Sequence, residues 1–159
     1  MSVILILFYL LFNQKSVSYK VRYVDNVKLF NAFNMSKDMA RIYNKKILVR
    51  QKQTDSLYAI FQQGITAKQS KEQLKKSQYD FVQSKKKLEE LQLYFTNDVS
   101  NQVWDRLHTY VKIFSQKEQI NLLLGKQGSG SIMYGDSISD VTESAIQFCN
   151  DKYENNNEK

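Results

Sequence analysis

The sequence predicts a mainly α fold, in which a long antiparallel coiled-coil helical hairpin is inserted between strands of a small oligomerising sheet. Three observations carry this. The chain has 159 residues and no proline, and Tyr19 to Leu124 holds a single glycine, Gly64, so little there interrupts a helix. Leu74, Phe81, Leu88 and Phe95 recur every seven residues, the period of a coiled-coil seam. Short β-favouring runs stand only near the two ends of the chain, at Lys20 to Val24 and after Ile120.

The first element is not part of that fold. Val3 to Phe12 is an unbroken apolar run, too short for a bilayer core of about 30 Å, which needs roughly 20 residues. It fits the apolar centre of a secretory signal, and Ser16-Val17-Ser18 offers small residues for a cut before Tyr19. No Lys or Arg precedes the run, and Lys15 lies where a cleavage region is usually neutral. Two fates stay open for residues 1–18: a signal peptide, or an N-terminal membrane anchor. Both would put residues 19–159, read as one domain, outside the cytoplasm.

Lys20 to Val24 (KVRYV) reads as a short strand ended by Asp25-Asn26, and Val27, Leu29, Phe30 and Phe33 as an apolar linker. Asn34 or Ser36 can cap the next helix, with Asp38 in its first turn. Along it, Met35, Met39, Ile42, Val49, Leu57 and Ile60 come close to a three-four spacing, with polar gaps at Lys46 and Gln53. Apolar residues nearly vanish between Gln62 and Lys76, where Gly64 lends flexibility, so the chain is expected to reverse there. Each arm is then about 40 residues, on the order of 60 Å. The returning arm carries Leu74, Phe81, Leu88 and Phe95, and continues by fours through Val99, Val103, Leu107 and Val111, with Trp104 and Phe114 alongside. Between its heptad positions stand Ser77, Gln78, Ser84 and Lys85, a thin seam that leaves the arm loose and polar.

Ile120 to Leu124 (INLLL) and Ser131 to Tyr134 (SIMY) are apolar runs closed by Gly125 and Gly135, expected to pair as a β-hairpin across GKQGSG. Asp140 to Glu143 has the form of a capping box, opening a helix with Val141, Ala145, Ile146 and Cys149 on its apolar face. The body thus spans 19–34 and 119–154, and the helical hairpin 35–118. A body of about 60 residues has a marginal core. Oligomerisation is the remedy, with Val21, Tyr23, Ile120, Leu122, Leu124, Ile132 and Tyr134 supplying the assembling body.

The net charge of +7 is concentrated in the hairpin: Lys37 to Glu118 holds sixteen Lys/Arg and nine Asp/Glu. Such a surface attracts acidic partners, whether polypeptide, anionic lipid or nucleic acid. Lys45-Lys46, Lys75-Lys76 and Lys85-Lys86-Lys87 are its clusters, and each has the plainer reading of a solvated helix face. No enzymatic constellation stands out. His108, the one histidine, lies in the long helix, where an exposed or seam position is expected and not an acid–base role. Cys149, the one cysteine, allows no intrachain disulfide and no thiol metal cluster. The loop GKQGSG lacks the order of a phosphate-binding loop and lies between two apolar runs. No cofactor and no metal is expected.

In order along the chain, KVRYVDNVKLFNAF (Lys20 to Phe33), a basic helical hairpin, INLLLGKQGSGSIMYGD (Ile120 to Asp136), and Asp140-Val141-Thr142 opening a helix that ends Asn150-Asp151-Lys152-Tyr153 resemble the Skp (OmpH-like) family of periplasmic chaperones. The resemblance covers the whole chain, the hairpin by pattern alone. It implies a trimer in which three bodies form a base and three hairpins surround a cavity. It implies ATP-independent holding of unfolded outer-membrane β-barrel proteins. Within that picture Phe81, Leu88 and Phe95 on the inner seam, with Lys75, Lys76, Lys85, Lys86 and Lys87, are the expected client contacts. An anionic membrane surface is a further partner by charge. Two other classes compete: a membrane-tethered envelope scaffold that retains residues 1–18, and a nucleic-acid-binding coiled coil, which export disfavours.

Overall fold

The computed structural model describes residues 19–128 and 132–157. Residues 1–18, including the apolar run, lie outside the described residues, as does Ser131. The chain is mainly helical, with one small two-stranded sheet. Strand β1 (Val21–Asp25) leads into helix α1 (Asn26–Ala32) and then α2 (Asn34–Thr66). After a turn, α3 (Lys71–Tyr94) returns, passes through a π-helical turn (Phe95–Val99) and continues as α4 (Ser100–Lys117). Strand β2 (Leu122–Lys126) and helix α5 (Thr142–Asn157) complete it.

The stretch expected as a linker is instead the two-turn helix α1. The Asp25 carboxylate accepts from the Lys28 amide at 2.9 Å, capping it, and Leu29 is buried on its inner side. No side chain of its own caps α2. The amide of Asn34 donates instead to Asn150 Oδ1 on α5 at 2.8 Å, while Asn150 Nδ2 donates to the Ala32 carbonyl at 3.2 Å. Asn150 therefore closes the end of α1 and the start of α2 together, the role expected of Asn34 or Ser36.

The body core gathers Val24, Leu29, Phe33, Val103, Leu107, Tyr110, Phe114, Ile120, Ala145, Ile146 and Cys149. Val103, Leu107, Tyr110 and Phe114 lie on one face of α4 at helical spacing, so that face meets α1 and α5. Phe33 is fully buried, with the ring of Tyr110 edge-on at 6.2 Å and that of Tyr153 at 5.5 Å. Burying one such ring contributes on the order of 3 kcal/mol.

The sheet differs from the expected β-hairpin. β1 pairs with β2 in parallel, Val21 opposite Leu122 and Val24 opposite Gly125. Gly125 lies within the strand and does not end it; a Cβ there would meet the Asn26 side chain at 2.3 Å. On its other side β1 is bonded to 139–141, through the Tyr23 amide to the Ser139 carbonyl and the Val141 amide to the Tyr23 carbonyl. Ile132, Met133 and Tyr134 are in no strand. The reason is local: the Tyr23 ring lies against Gly135, and its hydroxyl donates to the carbonyls of Gly135 and Asp136, each at 3.3 Å. That contact fixes the loop beside β1 and turns Met133 and Tyr134 outward. At Asp140 the expected reciprocal box is absent. Its carboxylate accepts from the Thr142 amide and hydroxyl, and Glu143 pairs with Lys28 instead.

Helices α2 and α3 form the antiparallel hairpin. The reversal is the short turn 67–70, with Lys68 at φ 50° and α3 opened by a Ser70–Gln73 capping box. Both helices run through the polar stretch expected as the tip. Gly64 is not a flexible point; it is a buried helical residue where the Gln69 amide oxygen and Leu74 approach to 2.8 and 3.1 Å of where a Cβ would lie.

The α3 seam is the expected heptad series, filled in by Ser77, Ser84 and Leu91. The α2 seam is not the expected one. Tyr43, Ile47, Arg50, Thr54, Leu57, Phe61 and Gly64 turn inward at alternating steps of four and three, while Ile42, Val49 and Ile60 are exposed. Met35 and Met39 pack on the body core. The inward set is chosen by specific contacts: Tyr43 stacks on Phe95 at 5.4 Å and Thr54 meets Ser84, while the exposed Tyr58 lies beside Phe81 at 5.1 Å at the edge of the seam. Phe95, Val99, Val103 and Leu107 then follow in steps of four, and the wider π-helical turn absorbs that break in the heptad.

Candidate functional site

Two surfaces among the described residues expose aliphatic side chains in groups. The first is a flank of the hairpin. Ile42, Lys45, Lys46, Val49, Arg50 and Gln53 recur on one side of α2, and with Leu91 of α3 they line a groove of about 530 Å³. Ile42 is 41 % and Val49 51 % exposed, although both are aliphatic. A second groove of about 550 Å³ continues from Arg50 and Gln53 through Ser56, Leu57, Asp80, Gln83, Ser84 and Lys87. The first half is apolar and basic, the second polar.

The electrostatics of the first groove are one-sided. Among the described residues Lys45, Lys46 and Arg50 form no ion pair with a carboxylate. Lys46 lies over the Tyr43 ring at 4.8 Å, and Arg50 donates to the Gln53 side-chain oxygen at 3.1 Å. Arg41 with Lys45, and Lys46 with Arg50, are like charges four residues apart on one helix, which weakens that helix slightly. An arm shaped for stability alone would set carboxylates there.

The expected client contacts divide. Leu88 is buried in the seam, and Phe81 and Phe95 are partly buried against Tyr58 and Tyr43. These three pack between the arms, and Phe81 and Leu88, together with Lys85, also line a groove of about 360 Å³. Lys75, Lys76, Lys85, Lys86 and Lys87 are exposed. Lys85 and Lys86 each face a carboxylate one turn on, Glu89 and Glu90, at 3.8 Å, the loose pairing of a solvated helix face. Lys87 borders the second groove. The groove residues were visible in the sequence as the Ile42–Val49 heptad pair, but apolar spacing alone does not say which way they face. Their neighbours Tyr43, Arg50 and Thr54 won the seam.

The second surface is the free side of the sheet. Leu122 and Leu124 on β2 are 50 % and 39 % exposed, and Val21 is 43 % exposed. Met133 and Tyr134 are 90 % and 87 % exposed, with Ile138 close to them in the chain and also exposed. Among the described residues β2 has β1 as its one strand partner, so its outer edge is unpaired. Of the residues expected to supply the assembling body, Tyr23 and Ile120 are buried within the single chain, and Ile132 is partly buried.

Chemistry is sparse elsewhere. The Cys149 thiol is buried in the core, and that burial pushes its pKa up to about 12, which leaves it un-ionised and unreactive. His108 is exposed on α4 with its ring 5.8 Å from that of Trp104. Among the described residues no group of His, Cys, Asp and Glu is arranged to hold a metal ion. No described helix is long and apolar enough to cross a membrane. No protein-family model matches the chain, and no curated protein matches it in sequence.

Proposed function

We propose that this chain is an exported, ATP-independent holding chaperone of the Skp (OmpH-like) kind, which keeps unfolded outer-membrane β-barrel proteins from aggregating. The observation that carries this reading is the hairpin. Between Asn34 and Tyr94 it has thirteen Lys/Arg against six Asp/Glu, and it exposes aliphatic side chains beside Lys45 and Lys46, which form no ion pair among the described residues. A rod built only to span a distance would fill its seam and balance its charge. An arm with weak, repeated apolar and basic contacts suits a holder that must also release. The exposed edge of β2, with Leu122 and Leu124, and the exposed Met133 and Tyr134 beside β1 suit a body that assembles with copies of itself. Three copies would surround a cavity with three arms, and an anionic membrane surface could attract the same lysines.

The test is dilution of a urea-unfolded outer-membrane β-barrel protein with and without residues 19–159, at low and high salt. Suppression of aggregation near three chains per client, without nucleotide and weakened by salt, supports the reading. A folded, oligomeric sample that suppresses nothing at either salt sinks it. The apolar run Val3 to Phe12 favours a second reading, a membrane-tethered envelope scaffold. A mature protein beginning at Tyr19 in the soluble envelope fraction speaks against the tether; the intact N-terminus in the membrane fraction speaks for it.

A further inference from the structure

We propose that the groove of Ile42, Lys45, Lys46, Val49, Arg50 and Leu91 binds an extended polypeptide segment whose groove-facing residues alternate aliphatic and acidic. This rests on the holding function above and specifies what part of a client the arm grips. At 1.5 Å rise per residue, Lys45 and Lys46 lie about 4.5–6 Å along α2 from Ile42, and Val49 lies about 10.5 Å along. Alternate side chains of an extended chain stand about 6.6 Å apart on one face. Crossing α2 at roughly 37°, such a chain sets its alternate side chains about 5.3 and 10.5 Å along the helix axis. An aliphatic residue over Ile42, a carboxylate at Lys45 and Lys46, and an aliphatic residue over Val49 and Leu91 therefore fit the groove. The carboxylates supply ion-pair partners for Lys45 and Lys46, which have no carboxylate partner among the described residues.

A third helix fits less well. Continuing the outer stripe of α2 at steps of four and three from Ile42 gives Lys46, Val49 and Gln53. A packed helix would bury Lys46 and Gln53 at every second position, and burying an unpaired charge is strongly unfavourable. A bilayer fits less well too. Its flat anionic surface would engage exposed lysines along the whole hairpin, Lys75 and Lys76 included, and would gain little from Val49.

The experiment measures binding of a fluorescein-labelled peptide to the full-length chain by anisotropy. In the peptide Leu, Asp, Leu, Asp and Leu alternate with Ser; a scrambled control groups the leucines apart from the aspartates. The expected result is weakening by about tenfold or more, some 1.4 kcal/mol, for Val49→Asp and for Lys45→Glu/Lys46→Glu. Lys75→Glu/Lys76→Glu makes the same charge change near the turn, and the scrambled peptide binds less well than the alternating one. Equal losses for the two lysine pairs, or equal binding of the scrambled peptide, overturn the proposal. So does Val49-dependent binding of phosphatidylglycerol vesicles by a chain that ignores the peptide, which would make the groove a lipid site. The same variants go through the aggregation assay. Variants that lose the peptide yet hold clients fully overturn the groove and leave the holding function standing. An unchanged chain that binds the alternating peptide in the expected pattern but holds no client keeps the groove and sinks the holding function.

Discussion

The hydroxyls of Thr54 and Ser84 meet at 2.8 Å in the buried middle of the hairpin, where a stable coiled coil would place two leucines. Thr54 Oγ1 also donates to the Arg50 carbonyl at 3.0 Å, so its single proton is engaged and Ser84 must be the donor to Thr54. The pair satisfies itself but adds little apolar burial. It makes the centre of the arm weaker than its ends.

Ser84→Ala removes that donor and costs about 1 kcal/mol, because Thr54 keeps its bond to Arg50. The double change Thr54→Val/Ser84→Ala removes both polar groups and is expected to be near neutral or stabilising. Urea denaturation of the four corners of this cycle measures the coupling. A double variant less stable than both single ones would contradict the pairing.

Gly135 is required by the Tyr23 ring. A Cβ at that position would stand 2.3 Å from Tyr23 Cε1, and the ring is held by its own hydroxyl bonds to the Gly135 and Asp136 carbonyls. Gly135→Ala is expected to destabilise the body by about 1–3 kcal/mol through overpacking. Thermal denaturation reads the loss, and Gly128→Ala, where a Cβ meets nothing within 4 Å, serves as the control.

Asn150 joins three helices through two bonds, one from the Asn34 amide and one to the Ala32 carbonyl. Asn150→Ala is expected to cost about 1–2 kcal/mol, as for loss of a helix cap. Faster hydrogen exchange of the Asn34 amide, with core amides such as Leu107 changed less, is the local signature to look for.

The Asp140 carboxyl is raised by desolvation, but bonds from the Thr142 hydroxyl and amide outweigh this and hold its pKa below the ordinary value. Asp136 is likewise lowered, by bonds from Ser139. A depressed carboxyl contributes stability that is present above its unfolded pKa and lost as pH falls through the folded one. The denaturation midpoint should therefore fall below about pH 4, the usual Asp range. Asp140→Asn should flatten that fall, and an unchanged acid limb in the variant would contradict the assignment.

The sequence revealed elements whose signal is periodic and apolar. Leu74, Phe81, Leu88 and Phe95 mark the α3 seam directly, and KVRYV marks β1. Cys149 falls on the buried face of α5, as its spacing from Ala145 and Ile146 suggests. What stayed hidden depends on contacts distant in sequence. The α2 seam runs through Arg50, Thr54 and Gly64, which no apolar count selects; each faces inward because of what α3 presents. β2 pairs with a strand about a hundred residues away, so adjacency to SIMY was a poor guide to its partner. Ile42 and Val49 were legible only as apolar residues of α2, since their seven-residue spacing is the same whether they face the other helix or solvent.

The most direct measurement is holding itself. A urea-unfolded outer-membrane β-barrel protein is diluted into buffer with the folded chain and without nucleotide, and light scattering is followed at two salt concentrations. A basic holding chaperone keeps scattering near baseline at low salt, at about three chains per client, and loses part of that effect as salt screens the arms. Scattering that rises as fast as in the absence of the chain, at both salt concentrations, would contradict it.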